Sequence, residues 1–548
     1  VKTPFRVRNI HPILFAIFPV LSIFAVNSIN ILPGDVAVSA LIVLFVSVLI
    51  WLGIHAILHD KNKAAILTSV FLFLFFSYRN LLFAVTNLFY LLGLDKIVYQ
   101  NSDSKSILWI WLLVMFCLFA LFTWKFLKSK WNLEIITKYL NIVSIALIAM
   151  VFVSMGIELV STGRESTAAY LSFDQKWADE IANEPCRLKK TAEKPPDIYY
   201  IILDEFGRDD VLSDLYGVDN SRLISFLNRE GFFVAEDSRA NYTHTSLALS
   251  SYLNFDYLNR ISAETGLYAM KEKHLKTLIS DNRTFHQLKC LGYDVISFNS
   301  GFSYTEDIPS DTRYAAGWSP TDMETLLINN SPLALFLTDA QFDWHRGRVL
   351  YTLKTLSDLG PSDKPRIIFA HIVSPHPPFL FGENGEPVNP RNLYSLDDGL
   401  TLVGSNSREA YRTGYAGQVT FLSQKVQETI QGILKNSETP PIIVIQGDHG
   451  PASEYDNQNL QNTNVWERMS IFNAYYLPGK GNSALYNGIT PVNTFRVIFN
   501  TYFDGGYAML PDISYFSPDV DPSKTTDVSA LIPENDPGKK ASLQNSEP

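Results

Sequence analysis

Ile442-Ile-Val-Ile-Gln-Gly-Asp-His-Gly450 is the stretch on which the reading of the chain turns. Its first four residues are an unbroken β-branched run, with no polar residue alternating. That suits a strand covered on both faces, as in a parallel sheet carrying helices on either side. Asp448 and His449 follow at once, bracketed by glycines that let the backbone turn sharply. Carboxylate and imidazole side by side are metal-ligand chemistry. In open α/β sheets, ligands collect at the carboxyl ends of the strands. A plain polar turn is the competing reading.

Working outward, a second apolar strand, Ile198–Leu203, also ends in acids, Asp204 and Glu205. An Asp in that position is equally common as a helix cap. The segment Asn241-Tyr-Thr-His-Thr-Ser-Leu-Ala-Leu-Ser-Ser251 reads as a loop entering a helix, with Thr243 or Thr245 near the helix start. A hydroxyl there is either an N-cap or a metal-activated nucleophile beside free backbone N–H groups. Phe369-Ala-His-Ile-Val-Ser-Pro-His-Pro-Pro-Phe379 is a strand running into a rigid proline-rich loop. His371, inside the strand, reads as a core histidine, whereas His376 is positioned by prolines.

Strand-like runs at Ile198–Leu203, Asp294–Phe298, Arg366–Ile372 and Pro441–Ile445 alternate with helical stretches at Asn220–Glu230, Thr284–Leu291 and Tyr411–Lys435. The alternation predicts an α/β domain with a largely parallel sheet. The net charge of -10 argues against a nucleic-acid partner. Of the three cysteines, only Cys186 and Cys290 could form a disulfide, Cys117 lying in an apolar run; unpaired thiols are the simpler expectation.

The four segments stand in an order that resembles the alkaline-phosphatase/sulfatase superfamily, and within it the membrane-bound lipoteichoic acid synthases and lipid A phosphoethanolamine transferases. The resemblance implies a divalent metal, zinc or manganese, held by Asp204, Asp448, His449 and the nucleophile Thr245. Glu205 and Thr243 are the runners-up for the acidic ligand and the nucleophile, and His371 is a further candidate. It places His376 on the substrate, and makes Asn299 and Ser300, in Leu291-Gly-Tyr-Asp-Val-Ile-Ser-Phe-Asn-Ser-Gly301, candidates for the head-group pocket. The implied activity is transfer of a phosphoryl or phospho-head-group onto lipid or glycan substrates. An extracytoplasmic phosphodiesterase or sulfatase is the alternative, and a non-catalytic membrane scaffold the reading from a different class. No Cys/Ser-x-Pro-x-Arg sequence stands at the nucleophile, which disfavours sulfate esters. At most one disulfide can form, where the phosphoethanolamine transferases hold several.

About 160 residues of mostly apolar sequence precede this domain. Ile10–Leu32, Val36–Leu58, Ile107–Trp124 and Leu140–Val160 approach or exceed the roughly 20 residues that cross a bilayer. Ala64–Leu94 is overlong and reads as one tilted or broken span. Its Arg79 either faces the bundle interior or a lipid phosphate, or marks the break. The first run reads as a span and not as a cleavable signal. The expected organisation is a bundle of about five transmembrane helices over 1–160, a linker over 161–194, the catalytic domain over 195–519 and a disordered tail over 520–548. Lys2, Arg6 and Arg8, then Lys61 and Lys63, then Lys125, Lys128, Lys130 and Lys138 fall on alternate sides from Asp35 and from the weakly charged loop with Asp95, Lys96, Asp103 and Lys105. By the positive-inside rule the amino terminus is cytoplasmic and the catalytic domain extracytoplasmic, next to membrane lipids. Reporter fusions at Lys63 and Thr191 are therefore expected to report opposite sides of the membrane; signals from the same side would refute five spans.

Overall fold

The computed structural model describes residues 8–535 apart from 28–30, 32, 93–103, 162–165, 267–269, 271, 307, 391, 400–401, 404–406 and 480. Lys2, Arg6, Asp95, Lys96, Asp103 and the tail beyond 535 lie outside the described residues. The chain divides into two compact units: residues 1–169 with 319–341 and 390–394, and the remainder.

The first unit is helical: α1 (His11–Val26), α2 (Pro33–Leu58), α3 (Lys61–Phe76), α4 (Tyr78–Leu91), α5 (Lys105–Lys128) and α6 (Leu133–Ser161). Among the described residues three helices, α2, α5 and α6, are long and apolar enough to cross a membrane, and α3 with α4 makes a fourth if that bent pair is one span. The overlong run thus breaks at Ser77, where the two helices diverge by 62°. The indole of Trp111 donates to the Tyr78 carbonyl at 2.9 Å, just at the break. A side chain that enters the backbone ladder is a known cause of such kinks. α1 has 16 residues, about 24 Å at the helical rise. Large apolar side chains such as Phe45, Ile110, Phe116 and Met150 are exposed along these helices, as lipid-facing surfaces require.

The second unit is built on a seven-stranded sheet among the described residues: β1 (Ile198–Leu203), β2 (Phe233–Val234), β3 (Asp294–Phe298), β4 (Thr312–Tyr314), β5 (Arg366–Ile372), β6 (Ile442–Gln446) and β7 (Asn473–Tyr476), in the order β2-β7-β6-β1-β5-β3-β4. β6, β1, β5, β3 and β4 are parallel, and β7 and β2 add an antiparallel edge. The sheet is mixed and largely parallel. β1 lies at its centre, all six residues buried, with Ile202 opposite both His371 of β5 and Gln446 of β6. The carboxyl ends of these three strands therefore lie side by side.

Two stretches differ from their expected character. Within 161–194, the helix Ser166–Asn183 buries Phe173, Trp177 and Ile181 in the main core with Ile198, Tyr252 and Leu275. Its amphipathic pattern is one that a polar average conceals. From residue 520 on, Thr526–Asp527 pairs antiparallel with Tyr515–Phe516, and Ser529–Leu531 forms a 3-10 turn. Cys186 and Cys290 are joined in a disulfide, against the expectation of free thiols, because the polar stretch after Asn183 runs beside the helix Arg283–Cys290. Arg187 N–H and Gln287 Oε1 meet there at 2.9 Å.

Trp177 is fully buried, and its indole donates to the Asp281 carbonyl at 2.7 Å. Trp177→Ala is expected to cost about 3–5 kcal/mol, the range for emptying a large aromatic site. A clear fall in the melting temperature of the detergent-solubilised chain would register it, whereas a linker residue would leave that temperature unmoved.

Candidate active site

The central strand carries the first acid. β1 runs straight into Asp204, whose N–H continues the ladder to the Ile372 carbonyl at 3.0 Å. β6 runs through Gln446 and Gly447 into Asp448 and His449. Gly447 and Gly450 are needed there: a Cβ would lie 2.5 Å from the Phe206 carbonyl in the first case and 2.1 Å from the Glu467 carbonyl in the second. Glu205 turns away with φ 65°, so two consecutive acids serve different neighbours.

Asp204, Asp448 and His449 are buried and present one ligand atom each within 4.8 Å of one another. The Asp448 Oδ1 accepts the Glu205 N–H at 3.1 Å. The Asp448 Oδ2 and the Asp204 Oδ1 are buried with no hydrogen-bond donor. Uncompensated carboxylate oxygens in a dry interior are costly unless a cation meets them. The His449 Nδ1 lies 3.2 Å from the Gly450 carbonyl, and the protonated nitrogen that donates there leaves the Nε2 lone pair facing inward. That Nε2 is 2.9 Å from Thr245 Oγ1 and 3.2 Å from Asp448 Oδ2. Burial, then the adjacent Asp204 charge, pushes the Asp448 carboxyl up. Two carboxylates, an imidazole and a hydroxyl fit a divalent cation of the zinc or manganese type.

Thr245 opens the helix Thr245–Leu253, behind His244 as N-cap with no side-chain cap bond. Thr243 is also buried, but its hydroxyl lies against the Ser517 backbone at 3.4–3.5 Å. His244 is held by the Ser517 carbonyl at 2.9 Å. Among these three residues, the contact to His449 is made by Thr245.

His376, in the loop after β5, donates its backbone N–H to the Asp204 carbonyl at 3.0 Å and is buried. Its Nδ1 lies 2.5 Å from the Pro377 carbonyl. Burial works against protonation, but the carboxylates of Asp204, Glu205 and Asp398 prevail and raise it to about 9. His371 meets Asp204 Oδ2 at 3.2 Å through Nε2, and its Nδ1 meets Thr305 Oγ1 at 2.9 Å. Ser300 Oγ lies 2.8 Å from that same Thr305 hydroxyl. Ser300 is thus two hydrogen bonds behind His371, with its own hydroxyl engaged in the chain. Asn299 is half-buried with its side-chain oxygen lacking a donor.

Arg468, which sequence reasoning passed over, is the largest cation of the site. It is 1% exposed and donates from Nη1 to Glu205 Oε1 at 2.9 Å, from Nη2 to Asp398 Oδ2 at 2.8 Å and from Nε to the Thr243 carbonyl at 2.9 Å. Tyr411 and Tyr415, one turn apart on the helix Arg408–Asn436, donate to Glu205 Oε2 at 2.9 Å and to the Glu205 carbonyl at 2.6 Å. Glu205, His376 and Asp398 also approach one another within 4.8 Å. The protein's own Arg468 already supplies that second group with positive charge, although Asp398 Oδ1 lacks a donor there as the two oxygens of the first group do. The signal in the sequence was a charged pair, Glu467-Arg468, set against the apolar run that leads into β7.

No protein-family model matches the chain, and comparison with curated proteins finds no relative. Solved structures similar to it include the periplasmic domain of EptC from Escherichia coli in complex with zinc, 13% identical with a TM-score of 0.42, covering 64% of this chain and 96% of that one. The integral membrane protein lipooligosaccharide phosphoethanolamine transferase A (EptA) from Neisseria meningitidis is 12% identical with a TM-score of 0.37, covering 89% of this chain and 95% of that one. A Bacteroides fragilis protein described as a sulfatase is 12% identical with a TM-score of 0.33, covering 61% and 84%. All three lie in the alkaline phosphatase/sulfatase superfamily, the group that the motif order resembles.

Removing Arg468 strands two carboxylates, Glu205 fully buried and Asp398 partly so. Arg468→Met is expected to destabilise the chain by about 3–5 kcal/mol, the cost of breaking a buried pair from one side. Thermal denaturation should show Arg468→Lys in between, since an ammonium cannot reach both acids with a planar fork.

Proposed function

We propose that the chain is a membrane-anchored, metal-dependent phosphoryl-group transferase, acting outside the cytoplasm on lipid-linked or glycan phosphates, with Thr245 as nucleophile. One observation carries the reading. Two donor-free carboxylate oxygens, Asp204 Oδ1 and Asp448 Oδ2, share a buried centre with His449 Nε2, and the hydroxyl at a helix start faces the same imidazole.

A divalent cation, zinc or manganese, held by Asp204, Asp448 and His449 would lower the pKa of the threonine hydroxyl and offset charge on the phosphoryl oxygens. The chain's own residues do the rest. Thr245 Oγ, having given up its proton to solvent, attacks phosphorus in line; a P–O bond to Thr245 forms and the bond to the departing alcohol or lipid breaks. The first N–H groups of the helix Thr245–Leu253 point at the phosphoryl oxygens. His376, in its protonated form, gives its Nε2 proton to the leaving oxygen. An acceptor hydroxyl then attacks the phospho-threonine and returns a proton to His376, and Thr245 recovers its own from solvent. With water as acceptor, the same site is a phosphodiesterase. His371 is a positioning group in this scheme, fixing Asp204 from behind.

Asp448→Asn and His449→Ala are each expected to lose bound metal with the fold retained, and wild-type metal content in either would refute the ligand set. Thr245→Ala should keep its metal and lose at least about a thousandfold in turnover, as expected for removing a nucleophile. Thr243→Ala should lose about tenfold or less, the scale of a hydrogen bond. The reverse ranking, read from phosphate-ester turnover by the full chain, would move the nucleophile two residues.

A further inference from the structure

The helical unit contains two pieces of chain from far along the sequence, residues 319–341 and 390–394. The first holds the helix Asp322–Asn329 and the start of the helix Leu333–Asp358. Met323 and Leu327 are buried against Val20 of α1 and Ile31, with Val36 and Ala40 of α2 packed around them. Ala334 and Leu335 are buried with Tyr78 and Leu82 of α4, Leu108 of α5 and Leu393 of the second piece. The partners from α1, α2 and α5 lie toward the end of α1, at the beginning of α2 and at the beginning of α5, and those from α4 lie just after the break that follows α3.

The exposed face of this packing is ordered along α5. Lys105 pairs with Asp339 at 2.8 Å. One turn on, Trp109 meets Phe336 edge-on at 5.2 Å. Beyond these, Ile110 and Leu113 of α5 are exposed and apolar, and so is Leu333. Charge, then aromatic rings, then aliphatic side chains is the order in which a helix passes from headgroups through the interfacial belt into hydrocarbon. Phe336 is 60% exposed and Trp109 46% exposed at the aromatic level. In water, such a continuous apolar face would be costly.

The turn between the two helices is also built for a dry setting. Backbone N–H groups of Asn330, Ser331, Ala334 and Leu335 are taken by the carbonyls of Leu326, Ile328, Ser331 and Pro332, and Leu333 N–H by the Ser331 hydroxyl at 3.3 Å. Irregular backbone tolerates the edge of hydrocarbon only when its polar groups are satisfied internally.

We propose that residues 319–341 are a membrane-embedded element, and that the face formed by Leu333, Phe336 and Trp109 sits in the lipid leaflet at the amino-terminal end of α5. The occupant is the bilayer itself, because the face continues the lipid-facing side of α5 without a break. This rests on the reading that α2, α5 and α6 span a bilayer. The consequence is that the membrane-embedded part of the sequence includes a segment from far beyond the amino-terminal helices.

The test uses the full chain in nanodiscs of phosphatidylcholine and phosphatidylglycerol, in a Cys117→Ser background. Bimane is attached at Phe336→Cys and at Leu118→Cys in the middle of α5. Doxyl groups placed shallow or deep in the acyl chains report depth. The expected result is that Phe336→Cys loses most of its fluorescence to shallow doxyl and Leu118→Cys to deep doxyl. Quenching at Leu118→Cys with none at Phe336→Cys overturns the inference and leaves the spans standing. No quenching at Leu118→Cys overturns the spanning reading itself.

Discussion

Two like charges buried side by side constrain everything else in the α/β unit. Asp204 and Asp448 stand at the carboxyl ends of the adjacent parallel strands β1 and β6, at 2% and 0% exposure. A hydrophobic sheet core has no use for this pair, and desolvation alone penalises it. The surroundings answer with His371 from β5 against Asp204 and the Glu205 N–H on Asp448, while Thr245 from a helix start meets the His449 imidazole beside them. Two oxygens are still left bare, and that residue of unmet charge is what a cation would meet.

A second balance lies beside the first. Glu205 takes a left-handed backbone conformation, which sends its carboxylate to Arg468 and Tyr411 and away from Asp204, while Tyr415 holds its backbone carbonyl. Arg468 then ties together Glu205, Asp398 and the backbone of Thr243. Thr243 is thereby built into the wall, while Thr245, two residues on, opens the helix and faces His449. The division of labour between two neighbouring acids and two neighbouring threonines comes from these hydrogen bonds.

Much of this was legible beforehand. The strands Asp294–Phe298 and Arg366–Ile372 have the bounds that the apolar runs predict, and β1 likewise. Strands buried on both faces write themselves as unbroken apolar runs, and those at Ile198–Leu203 and Ile442–Ile445 end in polar residues at the carboxyl ends where ligands gather. The apolar helices of the first unit were legible for a related reason: a lipid-facing helix must be apolar all round over a fixed length. Arg468 was not legible, since its partners Glu205 and Asp398 lie hundreds or tens of residues away, and a lone charge beside a strand resembles a surface residue. Ser166–Asn183 was hidden by averaging polar and apolar faces into one value.

The sequence by itself determined the local character of each segment: which runs are strands, which helices suit a bilayer, and which strand ends carry acids, histidines and threonines. Those properties depend on near neighbours, on periodicity and on side-chain chemistry. Only the tertiary structure decided which acid joins the Asp-His pair and which turns to Arg468, which threonine faces His449, and that residues 319–341 pack with helices far earlier in the chain. The physical reason is that strand order, a positive φ at Glu205 and helix packing are set by contacts between residues distant in the chain. The linear order of residue types carries no direct trace of those contacts.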